Sequence, residues 1–265
     1  MTDFLSPGRA ALTFSAVALA VIAMPTAAQA DDVCKQVDYN HAGYVVCDFA
    51  HPADLGLHWT GADGQPYRTF SALADAEDAE GRELVFALNA GMYDTDYRPM
   101  GLYAESGKEK TRLNTKSVGS ESGPVPNFYK SPNGVFYVGP EGQAAVVTTD
   151  AFSSAAPQTR IATQSGPLLV MDGELNPILI PGSTDRNRRS AVGVCDNGMV
   201  RLAISDTRVN FYDLAQLFRE HLACPDVLYL DGGRGTGIYL PEMNRNDISW
   251  HGGFGPMFSY SVPKP

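Results

Sequence analysis

Ten short runs of β-forming residues, each closed by turn residues, limit what this chain can fold into. They are Tyr44–Phe49, Leu84–Leu88, Gly101–Glu105, Gly134–Val138, Ala144–Thr148, Pro167–Met171, Ser190–Cys195, Met199–Ile204, Val227–Leu230 and Met257–Val262. Runs this short, rich in β-branched and aromatic residues, become stable only by pairing into sheets. Asp172-Gly173 and Asn197-Gly198 are tight-turn dipeptides, and the second joins two of the runs into a hairpin. Helical periodicity is confined to Phe70–Glu80 and Asp213–Ala223. In the latter, Leu214, Leu217, Phe218 and Leu222 share a face, Asp213 favours the first turn, and His221 falls on the solvent side. Strands outnumber helices and do not alternate with them regularly. The pattern predicts an α+β fold with few helices and mixed, mostly antiparallel sheets, not a doubly wound one.

The first 30 residues stand apart. Arg9 precedes the uncharged stretch Ala11–Met24, and Ala28-Gln29-Ala30 ends it with the small residues that signal peptidase requires. Fourteen residues of helix reach only ~21 Å, short of the ~30 Å hydrocarbon core, which favours a cleaved export signal over an anchor. Removing 30 of the 265 residues leaves 235, enough for one domain spanning 31–265. Asp3 and Arg9 depart together, so the formal net charge stays at −10. No basic run exists to hold nucleic acid or an anionic membrane surface, and no later stretch can span a bilayer. The expected destination is the periplasm or beyond. There, the even set Cys34, Cys47, Cys195 and Cys224 predicts two disulfides. Cys34 and Cys47 flank a hairpin around Asn40-His41-Ala42-Gly43 and are the stronger pair; Cys195 ends one run and Cys224 precedes another, a weaker signal for the second bridge.

Familiar catalytic signatures are missing. The run Gly232–Gly237 fits neither GxGxxG nor a phosphate loop ending in Lys-Ser/Thr, and no serine sits in GxSxG. The histidines His41, His51, His58, His221 and His251 have no zinc-ligand spacing. No cofactor is implied, although backbone carbonyls and scattered carboxylates leave Ca²⁺ open. A site must then be built from Asp, Asn, Arg, Gly and hydroxyl groups.

Such groups recur where apolar runs meet glycines. Leu84–Leu88 leads into Asn89-Ala90-Gly91, and Leu228-Tyr229-Leu230 into Asp231-Gly232-Gly233. Ala162-Thr163-Gln164-Ser165 precedes Gly166-Pro167, and Arg188-Arg189-Ser190 opens another run. Glycine admits close backbone approach, and a carboxylate ending an apolar strand is costly unless it is hydrogen-bonded or does chemistry.

These residues carry a resemblance. LNAGMY (88–93), MGLY (100–103), NFYKSPNGVFYV (127–138), ATQSGPLLV (162–170), RRSAVGV (188–194) and DLAQLFREHLACPDVLYLDGG (213–233) resemble the phosphodiester glycosidase domain family. Its members include the enzyme that uncovers mannose 6-phosphate and many exported bacterial proteins. The resemblance implies hydrolysis of the bond between a sugar's anomeric carbon and a phosphodiester oxygen, in a glycoconjugate or envelope polymer. Phosphate already leaves well, so the demands are on stabilising an oxocarbenium-like sugar, activating water and holding phosphate charge.

It further implies Asp231 as the carboxylate, Arg189 with Arg188 as phosphate ligands, and Asn89 and Gln164 orienting hydroxyls or phosphate oxygens. Ser165, Ser190, and the Gly91 and Gly166 amides would be further donors, with Gly232 and Gly233 beside them. Asp94 and Asp96 are candidates for a second carboxylate. One departure is plain: the family continues DGG-x-S, whereas Gly235 occupies the hydroxyl position here, with Thr236 one residue later and Arg234 as an added cation. The alternative is a catalytically silent module binding phosphorylated or acidic glycans through the same cleft.

Overall fold

A computed structural model describes residues 1–3, 33–118 and 123–264. The signal expected over residues 1–30 lies outside the described residues, its first three excepted.

All ten anticipated runs are strands, and they build three sheets. The first has seven strands, in the order Cys34–Tyr39, Ala42–Phe49, Val200–Ser205, Arg189–Val194, Asp226–Gly232, Leu168–Met171 and Glu174–Leu175. The second holds Arg245–Asn246, Ile238–Leu240, Arg82–Asn89, Met257–Pro263 and Gly56–His58. The third runs Lys108–Thr111, Tyr103–Glu105, Ile161–Ser165, Gly134–Val138 and Ala144–Thr148. Every neighbouring pair is antiparallel. The fold is therefore α+β with antiparallel sheets. The strand Ile161–Ser165 escaped the sequence pattern because its outer half, Thr163-Gln164-Ser165, is polar yet fully buried.

Local chemistry sets the hairpins. Asn40 and His41 both adopt positive φ (46° and 63°), which closes a two-residue turn and brings Cys34 opposite Cys47. Asp172 and Gly173 do the same at 49° and 79°. Cys34–Cys47 and Cys195–Cys224 are both disulfide-bonded. The second bridge sits just beyond the pairing of Val194 with Asp226, and the opposite end of the same two strands pairs Arg189 with Gly232. One end of the pair is thus covalently tied while the other carries polar residues.

Among the described residues three α-helices pack on these sheets: Phe70–Ala79, Thr149–Ala155 and Phe211–Gln216, the last continuing as a π turn over Leu217–His221. The final helix starts two residues earlier than its periodicity suggested. Asn210 caps it, its Oδ1 accepting from Asp213 N at 2.8 Å. Leu214, Leu217, Phe218 and Leu222 are buried as expected, and His221 is exposed beside Tyr39. One apolar core draws on all three sheets, through Val45, Val192 and Leu228, then Phe86, Leu88 and Phe258, then Tyr103 and Phe136. Burying each such side chain contributes roughly 1.5–3 kcal/mol. That shared core fixes how the strand ends meet.

Candidate active site

The four glycine-marked elements meet where the three sheets join. Asn89, ending its strand at 1% exposure, donates from Nδ2 to Ser190 Oγ at 2.8 Å. Asn89 Oδ1 accepts from Gly237 N at 3.2 Å, and Ser190 Oγ can turn its hydrogen to that oxygen (3.1 Å) or to the Asp231 carbonyl (3.3 Å). Ser165 Oγ donates to the Leu230 carbonyl at 2.7 Å, and Gly91 N donates to Thr163 Oγ1 at 3.2 Å. A Cβ at Gly91 would collide with Thr163 Oγ1 and the Gln164 carbonyl, so only glycine lets these segments close up. The buried polar groups satisfy one another and lock the strand ends together.

Above this junction lies a cleft of about 520 Å³, lined by Met92, Tyr93, Asp94, Thr95, Tyr97, Met100, Asp231 and His251. Asp231 Oδ1 accepts from Gly232 N at 2.7 Å. Burial pushes the Asp231 carboxyl up to about 7, against the Gly232 amide and the Arg189 charge, which both lower it. A Cβ at Gly235 would collide with Asp231 Oδ2, come 3.1 Å from its Cγ and stand 3.3 Å from the Tyr93 hydroxyl. The absent side chain is what leaves room for this carboxyl. Tyr93 donates its hydroxyl to the Gly253 carbonyl at 2.9 Å, and burial pushes it up to about 12, so it stays a neutral donor. Arg68 closes one side: its guanidinium lies 4.4 Å from the Tyr97 ring centre and donates to Tyr97 Oη (3.0 Å) and the Gly252 carbonyl (2.8 Å). Arg68 and Tyr97 both hold positive φ of 64°, a strained conformation that non-glycine residues keep only when their surroundings impose it.

A cleft built on a raised carboxyl suits hydrolytic chemistry, and comparison with known proteins gives the family of the chain. The sequence profile described as "Phosphodiester glycosidase" matches residues 82–255. The chain belongs to the phosphodiester glycosidase family. It is also 32% identical over 228 residues to YigE, an uncharacterised protein of Escherichia coli strain K12, covering 86% of each chain. In fold, the chain is similar to the catalytic domain of zebrafish N-acetylglucosamine-1-phosphodiester alpha-N-acetylglucosaminidase, described as auto-inhibited by its pro-peptide. The TM-score is 0.58 at 14% identity, covering 86% of this chain and 81% of that one. A hypothetical protein from Synechocystis gives a TM-score of 0.53 at 15% identity, over 86% of this chain and 61% of that one.

Not every anticipated site residue faces the cleft. The expected phosphate clamp, Arg189, is 1% exposed and spends its donors on the protein. Nε donates to the Val209 carbonyl (2.9 Å), Nη1 to Tyr229 Oη (3.2 Å) and Nη2 to the Asp185 carbonyl (3.1 Å), with a 3.1 Å ion pair to the Asp185 carboxylate. Phe211 covers its face at 3.7 Å. Gln164 is likewise saturated: Oε1 accepts from Leu102 N and Asn114 N, and Nε2 donates to the Asn114 carbonyl and Thr149 Oγ1, all within 2.8–3.1 Å. Burial at the meeting of two segments, invisible to local sequence, turns both residues inward.

Arg188 pairs with Asp247 at 2.8 Å. Gly233 takes a positive φ of 65° and donates to the Arg188 carbonyl, while Gly166 packs against Asn133 and Phe128. Thr236, the hydroxyl nearest the family's serine position, is buried with no hydrogen-bond partner for its Oγ1. Asp94 does share the cleft with Asp231, its Oδ1 capping the turn at Asp96 N and Arg98 N. Asp96 is exposed. Sequence reasoning passed over Tyr93, Tyr97, Met92, Met100 and His251. The first four lie within or between LNAGMY and MGLY and were readable there; His251 arrives only through tertiary folding. Among the described residues, no group of three or more His, Cys, Asp or Glu is placed to hold a metal ion.

Proposed function

We propose that this protein is an exported hydrolase that splits sugar-1-phosphodiesters of a glycoconjugate or envelope polymer, with Asp231 as its working carboxylate. The observation that carries this reading is the Asp231 carboxyl, raised to about 7 by burial in a 520 Å³ cleft that can take a sugar. In the ionised form it faces the anomeric carbon as that centre gains positive charge. Water adds to this carbon and passes a proton to the carboxylate. The C–O bond to phosphorus breaks with its electron pair on oxygen, and the phosphomonoester leaves.

Asp94, in the same cleft, orients the water, and Tyr93 remains a hydrogen-bond donor close to Gly235. Asn89 and Ser190 hold the strand that carries Asp231, and Arg189 acts as a positioning residue from behind. The phosphate falls to Arg234, which is exposed on the Gly233–Gly235 turn and whose side chain has no partner among the described residues. The two disulfides support an extracytoplasmic setting.

Hydrolysis of N-acetylglucosamine-1-phosphodiesters in ¹⁸O-water tests the reading. Label in the released sugar is expected. Label in the phosphate would mean that P–O is cut instead, and tight binding without turnover across a panel of diesters would mean a silent glycan-binding module.

A further inference from the structure

A second cavity, of about 580 Å³, lies apart from the Asp231 cleft, where the Asn127–Tyr129 turn meets the start of the Phe211–Gln216 helix. Its wall is apolar, with Tyr129, Leu179 and Phe211 inside. At its lining Ile178 and Ile180 stand 43% and 67% exposed, although isoleucine is among the residues most often buried.

Among the described residues, the cations at this wall and just behind it outnumber the carboxylates. Lys130 is half-buried there, its ammonium 5.0 Å from the centre of the Phe211 ring and without a hydrogen-bond or ion-pair partner among the described residues. Among the described residues the one carboxylate lining the cavity, Asp185, is already paired with Arg189 at 3.1 Å. Two cations therefore share one carboxylate. Burial lowers the Lys130 pKa; the charge of Asp185 opposes this and that of Arg189 adds to it. A half-buried ammonium beside an apolar wall gains from a ligand that brings the opposite charge. The volume falls in the range of cavities that bury most of a small ligand.

We propose that this cavity binds a single-chain aliphatic anion, its acidic head on Lys130 and its chain along Phe211, Leu179 and Ile180. Apolar area alone would accept a neutral chain equally well; the unpaired ammonium is what selects an anion. The site is independent of the hydrolytic reading, because none of these side chains lines the Asp231 cleft.

Titration calorimetry with decanoate and decanol on the mature chain, at neutral pH and low salt, tests the proposal. Decanoate is expected to bind about tenfold more tightly than decanol, since one well-placed ion pair is worth roughly that factor. Lys130→Met should bring decanoate down to the level of decanol and leave decanol within about twofold. Ile180→Ala, at an exposed position that leaves the fold intact, should weaken both. Equal binding of the two ligands to the wild type, no binding of either, or undiminished decanoate affinity in Lys130→Met would overturn the assignment. So would concentration-dependent dimerisation in sedimentation that Ile180→Ala abolishes, because the face would then serve a second copy of the chain.

Discussion

Asn89 and Ser190, 101 positions apart in sequence, place the Asn89 Nδ2 and Oδ1 atoms 2.8 and 3.1 Å from one hydroxyl, joining two sheets directly beneath Asp231. Both residues are buried, so removing either leaves a polar group without a partner. Asn89→Ala and Ser190→Ala should each cost about 1–3 kcal/mol in urea unfolding. The double variant should cost less than the sum of the two, since the second change removes a group already orphaned by the first. Strict additivity would mean that the contact contributes little.

Asp231→Asn should lower kcat by about 10²–10⁴-fold while the protein stays folded. In the wild type, kcat/KM should rise with pH through about 7 and then level off, as the proposed role of the ionised carboxylate requires. A falling profile would make Asp231 an acid instead.

The same group predicts a pH-dependent stability difference. Its folded pKa lies above the ordinary carboxylate value, so the native state holds the proton more tightly than the unfolded chain does. Between about pH 4 and 7 the unfolded chain ionises first, and wild-type stability falls as pH rises through that window. Asp231→Asn has no proton to lose there, so its melting temperature should gain on the wild type from pH 4 to pH 7 and hold that gain above. A constant offset across the range would place the carboxyl in ordinary solvent.

At Gly235 the family's hydroxyl is replaced by bare space against Asp231. Gly235→Ser should push the carboxyl aside, lower kcat by about tenfold or more, and shift the midpoint of the pH–rate profile, because a new donor beside a carboxylate favours its charged form. An unchanged profile with full turnover would show that the carboxyl tolerates the side chain.

Arg189 offers a way to separate support from substrate contact. Arg189→Lys keeps the charge but loses the planar guanidinium over Phe211 and several of its hydrogen bonds; a loss of about 2–4 kcal/mol of stability is expected. KM for a short diester should stay within about twofold in whatever fraction folds. A large rise in KM at unchanged stability would return Arg189 to the phosphate.

Strand positions and the Cys34–Cys47 disulfide were legible because they rest on short-range chemistry: β-forming runs, paired left-handed turn residues at Asn40-His41, and cysteines in register across a hairpin; the Cys195–Cys224 bridge could be read only from its place at the ends of two runs. The site was legible in part. Asp231 and Asn89 could be singled out because polar groups ending apolar strands need an explanation. Whether Arg189 and Gln164 look outward or inward is decided by Phe211, Val209, Leu102 and Asn114, distant in sequence, and no local pattern carries that information. The polar strand Ile161–Ser165 eluded periodicity for a related reason: its partners for Thr163 and Ser165 come from elsewhere in the chain.

The junction of Asn89, Ser165, Ser190 and Asp231 also bears on how the molecule matures. Each strand entering it closes contacts of very long sequence separation, among the last to form in a folding chain. Turnover should therefore reappear only in step with the final cooperative phase of refolding, and fragments ending before residue 231 should retain sheet structure at most. An assay for activity in this protein doubles as an assay for completed assembly.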